Sequence, residues 1–307
     1  MPILEVKDVT ISFKQYVSGL RQRELEVISS FNVSVSEGEV LAVVGASGSG
    51  KSLLAHAILG ILPANATMGG EILFEGERLT ARRQEALRGT DIALIPQSVA
   101  SLDPLMRVGA QVRTSVKVGD PEQEQRSVFE RYRLRPETAK LYPFQLSGGM
   151  ARRILVSTAV VSGARVIIAD EPTPGLDPES LSQALGYFRE LADKGAAVML
   201  ITHDIESALA IADRVAVFYA GTTVEIAPAS DFEGDGSALR HPYTQALWKA
   251  LPRNEFVPIA GSQPSPNELP NGCLFEPRCN RATPDCAKRR PKAQHIRGGT
   301  VWCDHVS

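Results

Sequence analysis

The sequence predicts an α/β fold in which a mostly parallel sheet is covered by helices on both faces. Three observations predict it. The apolar run VLAVV leads through a glycine-rich turn into LLAHAILGIL, the runs RVIIAD and AAVMLITH are short and almost wholly apolar, and the helical patterns LSQALGYFRELADKG and IESALAIAD alternate with them. Short apolar runs of this kind are typical of parallel strands that are buried on both faces.

The N-terminal part of the chain is predicted to form strands of a different kind. ILEVKDVTISF alternates apolar and polar residues, ISSFNVSVSEGEVLAVVG contains two more strand-like runs, and GGEILFEGERLT predicts a short hairpin. Alternation with a period of two indicates strands with one face buried and the other in solvent. We therefore expect an antiparallel β subdomain next to the glycine-rich turn.

The glycine-rich turn has the spacing G-x-x-x-x-G-K-S between a predicted strand and a predicted helix. Its glycines allow successive backbone N–H groups to face an anion, and the helix N-terminus adds partial positive charge. Lys51 would reach the terminal phosphates and Ser52 would hold Mg2+. A plain strand-to-helix turn is the alternative, but the complete pattern in this context favours a nucleoside triphosphate site. The predicted contacts are Gly45, Ala46, Ser47, Gly48, Ser49, Gly50, Lys51 and Ser52.

Two adjacent carboxylates stand at the end of the apolar run RVIIAD. Ligands of open α/β sheets bind at the carboxyl ends of parallel strands, where Asp170 would hold Mg2+ through water. Glu171 would polarise an attacking water as a general base. The alternative is a pair of solvated acids before Pro172, which the phosphate loop in the same chain disfavours.

Composition and charge exclude several classes of protein. The chain has 307 residues, of which 33 are basic and 35 acidic, and its net charge is -2. This balance gives no reason to expect nucleic acid or an anionic membrane surface as a partner. No apolar run is long enough for a transmembrane helix, and MPILEVKDVT lacks the features of a signal peptide. We therefore expect a globular, cytoplasmic protein.

The motif LSGGM precedes the helical pattern MARRILVSTAVV. Its serine and glycines can offer a hydroxyl, backbone amides and a helix N-terminus to a phosphate, although serine is also an ordinary N-cap. Together with GASGSGKS, VIIADEP, Gln97 and ITHD, the motif resembles the ATP-binding subunits of ATP-binding cassette (ABC) transporters. The resemblance implies a P-loop NTPase fold with a helical insertion at about residues 98–160, and it disfavours a P-loop kinase.

The resemblance also implies roles outside the phosphate loop. Ser147, Gly148 and Gly149 would contact the ATP that the opposing subunit holds. Gln97 would ligate Mg2+. His203 would sense the γ-phosphate, and with Glu171 and Lys51 it forms the predicted catalytic set.

Two further contacts are implied by the family pattern. Asp177 matches a loop that crosses the dimer interface, although this sequence has Pro174 and Gly175 where the family more often has Thr-Ala. An aromatic residue of the first hairpin would stack on adenine. Phe13 is the predicted residue and Tyr16 the second candidate, because KQYVSGLRQRELEV leaves the register of the hairpin open.

The composition changes near Pro252. Eight of the 20 prolines lie between Pro252 and Pro291, which leaves little room for long helices or central strands. Residues 1–253 are expected to form the nucleotide-binding domain and residues 254–307 an irregular extension. HPYTQALWKALP and the cysteine run that follows resemble the C-terminal extension of the oligopeptide, dipeptide and nickel importer branch, so the resemblance covers essentially the whole chain.

All four cysteines lie in this extension, at Cys273, Cys279, Cys286 and Cys303, with the spacing C-x5-C-x6-C-x16-C. Four thiolates in a reducing compartment can hold a 4Fe-4S cluster or tetrahedral zinc. The spacing lacks the C-x2-C pairs that are usual for structural zinc, and the resemblance implies a 4Fe-4S cluster. Zinc and free thiols are the alternatives.

The resemblance implies an ATP-hydrolysing subunit that energises an importer for peptides, nickel or a metal-chelating small molecule. The implied partners are a second ABC ATPase subunit in a heterodimer, two transmembrane permease subunits and an external substrate-binding protein. SVASLDPLMRVGAQV would dock a coupling helix of a permease, so the chain would be peripheral to the cytoplasmic face of the membrane. The alternative is a soluble ABC ATPase acting on DNA or the ribosome. Such proteins usually have a long coiled-coil insertion or two tandem cassettes.

Overall fold

The computed structural model describes residues 1–18 and 21–306, and Gly19, Leu20 and Ser307 lie outside the described residues. The strands are β1 (Leu4–Ser18), β2 (Arg21–Val35), β3 (Val40–Gly45), β4 (Ala66–Phe74), β5 (Glu77–Arg78), β6 (Ile92–Ile95), β7 (Val166–Asp170), β8 (Ala197–Thr202), β9 (Arg214–Tyr219), β10 (Thr222–Pro228), β11 (Ala293–Ile296) and β12 (Gly299–Trp302). The α-helices are α1 (Lys51–Leu59), α2 (Ala81–Leu87), α3 (Val108–Ser115), α4 (Pro121–Arg131), α5 (Gly148–Val161), α6 (Pro178–Asp193), α7 (Ile205–Leu209) and α8 (Pro242–Lys249).

The central part of the sheet is parallel and has the order β9, β3, β8, β7, β6. Successive residues of β3 pack into two different hydrophobic cores: Val40, Ala42 and Val44 into one, and Leu41 and Val43 into the other. The side chains of a strand point alternately to its two faces, so each face of the sheet is covered by one core. The predicted doubly covered parallel sheet is confirmed.

The N-terminal strands form an antiparallel layer in the order β5, β4, β1, β2, which meets the rest of the sheet at β10. Strands β4 and β5 make the short hairpin that the sequence predicts. The pairing of β1 with both neighbours is interrupted around Asp8. The predicted antiparallel β subdomain is confirmed, with an irregularity in β1 that the sequence pattern did not indicate.

The helical insertion lies between β6 and β7 in the chain and contains α3, α4 and α5. Apolar side chains from all three helices join one hydrophobic core, among them Val108, Phe129 and Ile154. The helix predicted from IESALAIAD is shorter than its pattern, because α7 ends at Leu209. Within the described residues, no helix combines the length and the hydrophobicity that a membrane span requires.

After α8, the described part of the chain contains only a 3-10 turn at Glu276–Arg278 and the hairpin β11–β12. Strand β12 adds antiparallel to β10, so the extension continues the sheet. The scarcity of regular structure agrees with the proline content of this segment. The division between residues 253 and 254, and the bounds of the helical insertion, stay predictions.

A buried cluster of charges joins the extension to β10. The side chains of Arg240 and Glu225 are 1% and 0% exposed, and their Nη1 and Oε1 atoms lie 3.2 Å apart. Arg240 Nη1 also lies 2.7 Å from Asp231 Oδ2, and its Nε donates to the carbonyl of Ile296 at 2.6 Å. The second oxygen of Glu225 accepts from the His241 backbone N–H at 2.9 Å. Because the donors and acceptors satisfy one another, the cluster can stay buried.

Candidate functional site

The phosphate loop follows β3 and ends where α1 begins at Lys51. Gly45 and Gly50 illustrate why this loop needs glycine. A Cβ on Gly45 would lie 2.3 Å from the carbonyl oxygen of Phe218, and Gly50 has a φ of 93° that L side chains rarely adopt. A Cβ on Gly50 would also lie 2.6 Å from Ile28 Cδ1, which places β2 directly against the loop.

The ammonium group of Lys51 is held over this loop. Its Nζ donates to the carbonyl oxygens of Gly45 at 2.9 Å and Ala46 at 3.0 Å. Burial lowers the pKa of Lys51, while the charges of Glu171 and Asp170 act in the opposite direction. The loop therefore places a cation beside two carboxylates.

Ser52 and Asp170 bring together two oxygen atoms that could ligate a metal, at the carboxyl edge of the sheet. Ser52 Oγ donates to Asp170 Oδ1 at 3.0 Å. Burial raises the pKa of Asp170, and the hydrogen bond from Ser52 partly offsets this rise. Hydroxyl and carboxylate oxygens suit Mg2+, so these residues fit the metal that accompanies a nucleotide. Gln97 follows β6 by two residues and is exposed, at the same edge but without a described contact to either residue.

Glu171 and His203 form a second pair at this edge. They follow the adjacent strands β7 and β8, and Glu171 Oε2 lies 2.9 Å from His203 Nδ1. The side chain of Glu171 is 10% exposed and that of His203 is 52% exposed. Glu171 has a φ of 44°, which is uncommon for a residue with a side chain. The turn after β7 thus points this carboxylate at the histidine, beside the phosphate loop.

The motif LSGGM forms the start of α5. Ser147 is the N-cap, and its Oγ accepts from the Met150 backbone N–H at 3.3 Å. Gly148 and Gly149 have open space where a side chain would stand. The ordinary N-cap is therefore present, and it leaves an exposed helix N-terminus that is free to meet a phosphate.

Arg152 is a residue that sequence reasoning missed. Its side chain is buried, and its Nη1 donates to the carbonyl oxygen of Pro96 at 3.1 Å. This contact joins α5 to the loop that carries Gln97. An arginine in a helical pattern is predicted to be exposed to solvent. Only its position two residues after LSGGM could have indicated a functional role.

Asp177 is the N-cap of α6. Its Oδ1 accepts from the backbone N–H groups of Glu179 and Ser180 at 3.1 Å and 3.0 Å. Hydrogen bonds from Ser180 lower the pKa of Asp177, which stands fully exposed. The loop before α6 is therefore on the surface, where another chain could reach it.

The two candidate aromatics for adenine differ in their surroundings. Phe13 is half-buried and packs against the core, opposite Leu25 of β2. Tyr16 is 69% exposed, and its hydroxyl accepts from Gln22 Nε2 at 3.0 Å. Gly19 and Leu20, in the loop that left the register open, lie outside the described residues.

The four cysteines line one small cavity. Burial raises the pKa of Cys303 to about 11 and also raises the pKa of Cys273 and Cys279. Cys286 Sγ lies 3.2 Å from His305 Nε2. The sulfur atoms of four thiols around one cavity are chemically suitable ligands for a 4Fe-4S cluster or for zinc. In the described part of the chain, however, no three Cys, His, Asp or Glu side chains are already arranged as a metal site.

Two family models match the chain. One, described as ABC transporter, matches residues 28–174. The other, described as oligopeptide/dipeptide transporter, C-terminal region, matches residues 224–286. The two matches lie on the central sheet with its phosphate loop and on the junction with the extension.

Three relatives from Haemophilus influenzae resemble nearly the whole chain. The dipeptide transport ATP-binding protein is 34% identical over 99% of this chain and 95% of its own length. Two different oligopeptide transport ATP-binding proteins are 34% and 33% identical, over 93% and 94% of this chain and 91% and 92% of their own lengths.

Solved structures share the fold. An ATP-binding subunit of an ABC transporter superposes with a TM-score of 0.62 and 26% identity, over 75% of this chain and 91% of that chain. A dimeric cassette bound to ADP and phosphate superposes with a TM-score of 0.64 and 23% identity, over 74% and 98%, which shows the fold alone. The P-loop fold, the site at its carboxyl edge and these relatives agree: the chain belongs to the ATP-hydrolysing subunits of ABC transporters, in the branch with the oligopeptide/dipeptide transporter C-terminal region.

Proposed function

We propose that this chain hydrolyses ATP at the carboxyl edge of its central sheet to drive the import of peptides. The convergence there of Lys51, the Ser52–Asp170 pair and the Glu171–His203 pair carries the proposal. The relatives described above are named for dipeptide and oligopeptide transport, which supports peptides as the cargo. None of these three is named for nickel, so nickel is not proposed.

We assign phosphate and metal binding to the two sides of the phosphate loop. Lys51 and the N-terminus of α1 would bind the phosphates, and Ser52, Asp170 and Gln97 would hold Mg2+. The short contact between Ser52 and Asp170 supports the metal assignment. When bound, the metal supplies positive charge that stabilises the phosphates as the bond to the γ-phosphate breaks.

We assign general-base catalysis to Glu171. Its carboxylate is largely shielded from solvent and lies against His203, so one oxygen is fixed while the other can accept a proton from water. His203 is half-exposed at the mouth of the site, where its second ring nitrogen would contact the γ-phosphate. The two residues would therefore respond together to the presence of that phosphate.

We propose that a second ATPase subunit completes the site. Ser147, Gly148 and Gly149 form an exposed helix N-terminus that suits the phosphates of an opposing nucleotide, and Asp177 would contribute to the interface. One organism has two different oligopeptide transport ATP-binding proteins that both resemble this chain. This supports a heterodimer of two different subunits.

We propose that the chain works at the cytoplasmic face of a membrane with two permease subunits and an external substrate-binding protein. The segment after Gln97 offers an apolar surface for a coupling helix, because Leu105 is 87% exposed and Met106 is 36% exposed. Exposed apolar side chains that are neighbours on the surface commonly mark interaction sites.

The experiment is to purify the tagged chain from its own host in mild detergent and to identify its partners. We expect two multi-span proteins, a second cassette ATPase and a binding protein that releases peptides. Peptide uptake should stop when Lys51→Ala replaces the wild-type chain, whereas Lys288→Ala, in the exposed part of the extension, should transport normally. Recovery of ribosomes or DNA-repair factors without membrane proteins would instead support the soluble ATPase.

We propose Phe13 as the residue that stacks on adenine, with Tyr16 as the alternative. The position of β2 against Gly50 supports a hairpin that reaches the nucleotide. Stacking on an aromatic ring contributes about 1–3 kcal/mol per base, so Phe13→Ala should weaken ATP binding about tenfold and Tyr16→Ala should not. The reverse result would assign adenine to Tyr16.

We propose that Cys273, Cys279, Cys286 and Cys303 bind a 4Fe-4S cluster. Four thiols around one cavity support this, and cluster binding would have to draw the thiols into a ligand arrangement that they do not form among the described residues. An anaerobic preparation should contain about four irons per chain, and Cys279→Ser should lose them. Zinc in place of iron, or neither metal, would contradict the proposal and identify the site as zinc or as free thiols.

A further inference from the structure

A cavity of about 440 Å3 lies between the antiparallel subdomain and the C-terminal extension. Side chains of β1, β2 and β10 line it together with the segments around Leu274 and Arg290. Binding sites for small molecules typically have volumes of roughly 300–1,000 Å3 and often lie where two domains meet. Both the volume and the position of this cavity suit a small ligand.

An acidic side chain reaches the cavity from β1. Asp8 lies where the pairing of β1 with its neighbours is interrupted, and its φ is 47°. Irregularities of this kind redirect a side chain out of the regular alternation of a strand. Asp8 Oδ1 accepts hydrogen bonds from Asn32 Nδ2 at 3.0 Å and Ser30 Oγ at 3.2 Å. Within the described residues, the other carboxylate oxygen accepts none.

Two basic side chains reach the same cavity from the extension. Arg290 and Lys292 flank Pro291, just before β11, and all three residues line the cavity. Both cations therefore belong to one short segment of the cavity wall.

The opposite charges in the cavity do not neutralise each other. In the described part of the chain, neither Arg290 nor Lys292 forms an ion pair with Asp8, whereas Lys288 and Arg289, which precede them in the chain, form ion pairs with other carboxylates. Glu26 of β2 is near enough for its charge to act on Arg290, but it is not an ion-pair partner either. The cavity thus carries separated positive and negative charge.

A buried histidine is part of the cavity wall. His241 is 1% exposed, and its Nδ1 accepts from the backbone N–H of Tyr243 at 3.0 Å. A ring nitrogen that accepts carries no proton, so the proton of this ring is on Nε2. Among the described residues, Nε2 has no hydrogen-bond acceptor. Leu274, Phe275 and Trp302 supply an apolar surface beside it.

We propose that this cavity binds a zwitterionic small molecule, an amino acid or a short peptide, with its ammonium group at Asp8 and its carboxylate at Arg290 and Lys292. The hydroxyls on β2 and β10 and the Nε2–H of His241 would bond its polar backbone, and the apolar surface would take its side chains. The inference stands on the cavity itself and does not depend on the cargo proposed above.

The test is calorimetric titration of the purified full-length chain with three probes: the dipeptide dileucine, its N-acetylated form and its C-terminal amide. Each blocked form lacks one of the two charges. A partly exposed ion pair contributes up to about 1 kcal/mol, which corresponds to roughly a fivefold change in affinity. We expect dileucine to bind about fivefold more tightly than either blocked form. Equal affinity for the three, or no binding of any, would overturn the proposal.

Variants test which side chains bind the ammonium group of the ligand and which bind its carboxylate. Asp8→Asn should abolish the preference for the free ammonium group over the acetylated form and keep the preference for the free carboxylate. Arg290→Ala combined with Lys292→Ala should do the reverse. Glu85→Gln and Lys288→Ala, which change exposed charges outside the cavity, should keep both preferences.

Because Asp8 also bonds Asn32 and Ser30, thermal unfolding must show that Asp8→Asn folds. If the variant does not fold, the proposal is still tested by the affinities of the three probes for the wild-type chain. Peptide transport and partner recovery do not enter this experiment, so its failure would leave the proposed function untouched. Failure of transport would likewise leave the cavity result intact.

Discussion

The carboxyl edge of the central sheet and the junction with the extension both contain buried charges, but the two regions differ in the partners of those charges. At the junction, Arg240 and Glu225 are fully enclosed and satisfy each other, together with Asp231 and backbone groups. At the carboxyl edge, the hydrogen bonds that Lys51 Nζ donates within the described residues go to carbonyl oxygens. Burial lowers its pKa, and the charges of Glu171 and Asp170 oppose that lowering without an ion pair to either carboxylate in the described part of the chain.

The difference separates charges that hold the fold together from charges that remain available for a ligand. A closed ion cluster leaves no hydrogen-bonding capacity for a substrate, and removing one member leaves the others buried without a partner. The charged side chains at the carboxyl edge still have hydrogen-bonding capacity for a ligand. One of them can be substituted without leaving another buried and unpaired. We therefore expect substitutions at the edge to affect activity and substitutions at the junction to affect stability.

The largest expected effect is on catalysis, from Glu171→Gln. The change keeps the shape of the side chain but removes the group that accepts a proton from water, and positioned general bases contribute about 10²–10⁴-fold. Steady-state ATP hydrolysis should fall by about that factor, while ATP binding and the Tm stay near the wild-type values.

The matched control for this change is Glu137→Gln, on an exposed turn of the helical insertion. It should leave hydrolysis unchanged. If the Glu171→Gln variant hydrolysed ATP at the wild-type rate, the Glu171 carboxylate would not be the general base. A large fall in its Tm would show that the edge is also a closed network, and the comparison would fail.

The second expected effect is on stability, from Arg240→Met. The variant leaves Glu225 buried without its cation, and breaking a buried ion pair in this way costs about 3–5 kcal/mol. Denaturant unfolding should show this loss in the free energy of unfolding. Arg289→Met, which changes an exposed arginine of the extension, should stay within about 0.5 kcal/mol of wild type.

A double variant sharpens the result. Adding Glu225→Leu to Arg240→Met removes the unpaired charge as well, so part of the lost stability should return. If Arg240→Met alone unfolds at the wild-type denaturant concentration, the junction does not depend on its charges. In that case the contrast with the carboxyl edge would have to rest on hydrophobic packing.

Sequence patterns predicted the features that depend on neighbouring residues. The phosphate loop is set by glycine spacing, and the strands around it are set by continuous apolar runs, so both could be predicted. The placement of Asp170 and Glu171 at the carboxyl edge followed for the same reason. That Glu171 lies against His203 depends on β7 and β8 being neighbours, which no local pattern determines.

Features that depend on distant contacts could not be predicted. Glu225 stands in the strand pattern TTVEIAP, where alternation does not indicate that its carboxylate is enclosed by Arg240. Arg152 reads as a solvated residue until α5 is packed against the loop after β6. Asp8 lies in an otherwise regular alternating strand, and the irregularity that redirects it is visible only once β1 is paired with β2 and β4.

The smallest expected effect is a gain in stability from Asp170→Asn. Burial raises the pKa of Asp170 in the folded chain above its value in the unfolded chain. The stability linked to this group is therefore full below the unfolded pKa and is lost as the pH rises through the folded pKa. Above the folded pKa the wild-type chain keeps a costly buried charge, which asparagine removes while its amide oxygen still accepts the hydrogen bond from Ser52.

Scanning calorimetry without nucleotide should show a Tm about 2 °C higher for Asp170→Asn at neutral pH. The gain should shrink in acid, because the wild-type carboxyl is then also neutral. Asp177→Asn is the matched control. Hydrogen bonds lower the pKa of Asp177, so loss of its charge should not raise the Tm. A lower Tm for Asp170→Asn at neutral pH would mean that the carboxylate stabilises the fold through Lys51, and the carboxyl edge would then be closed in the same sense as the junction.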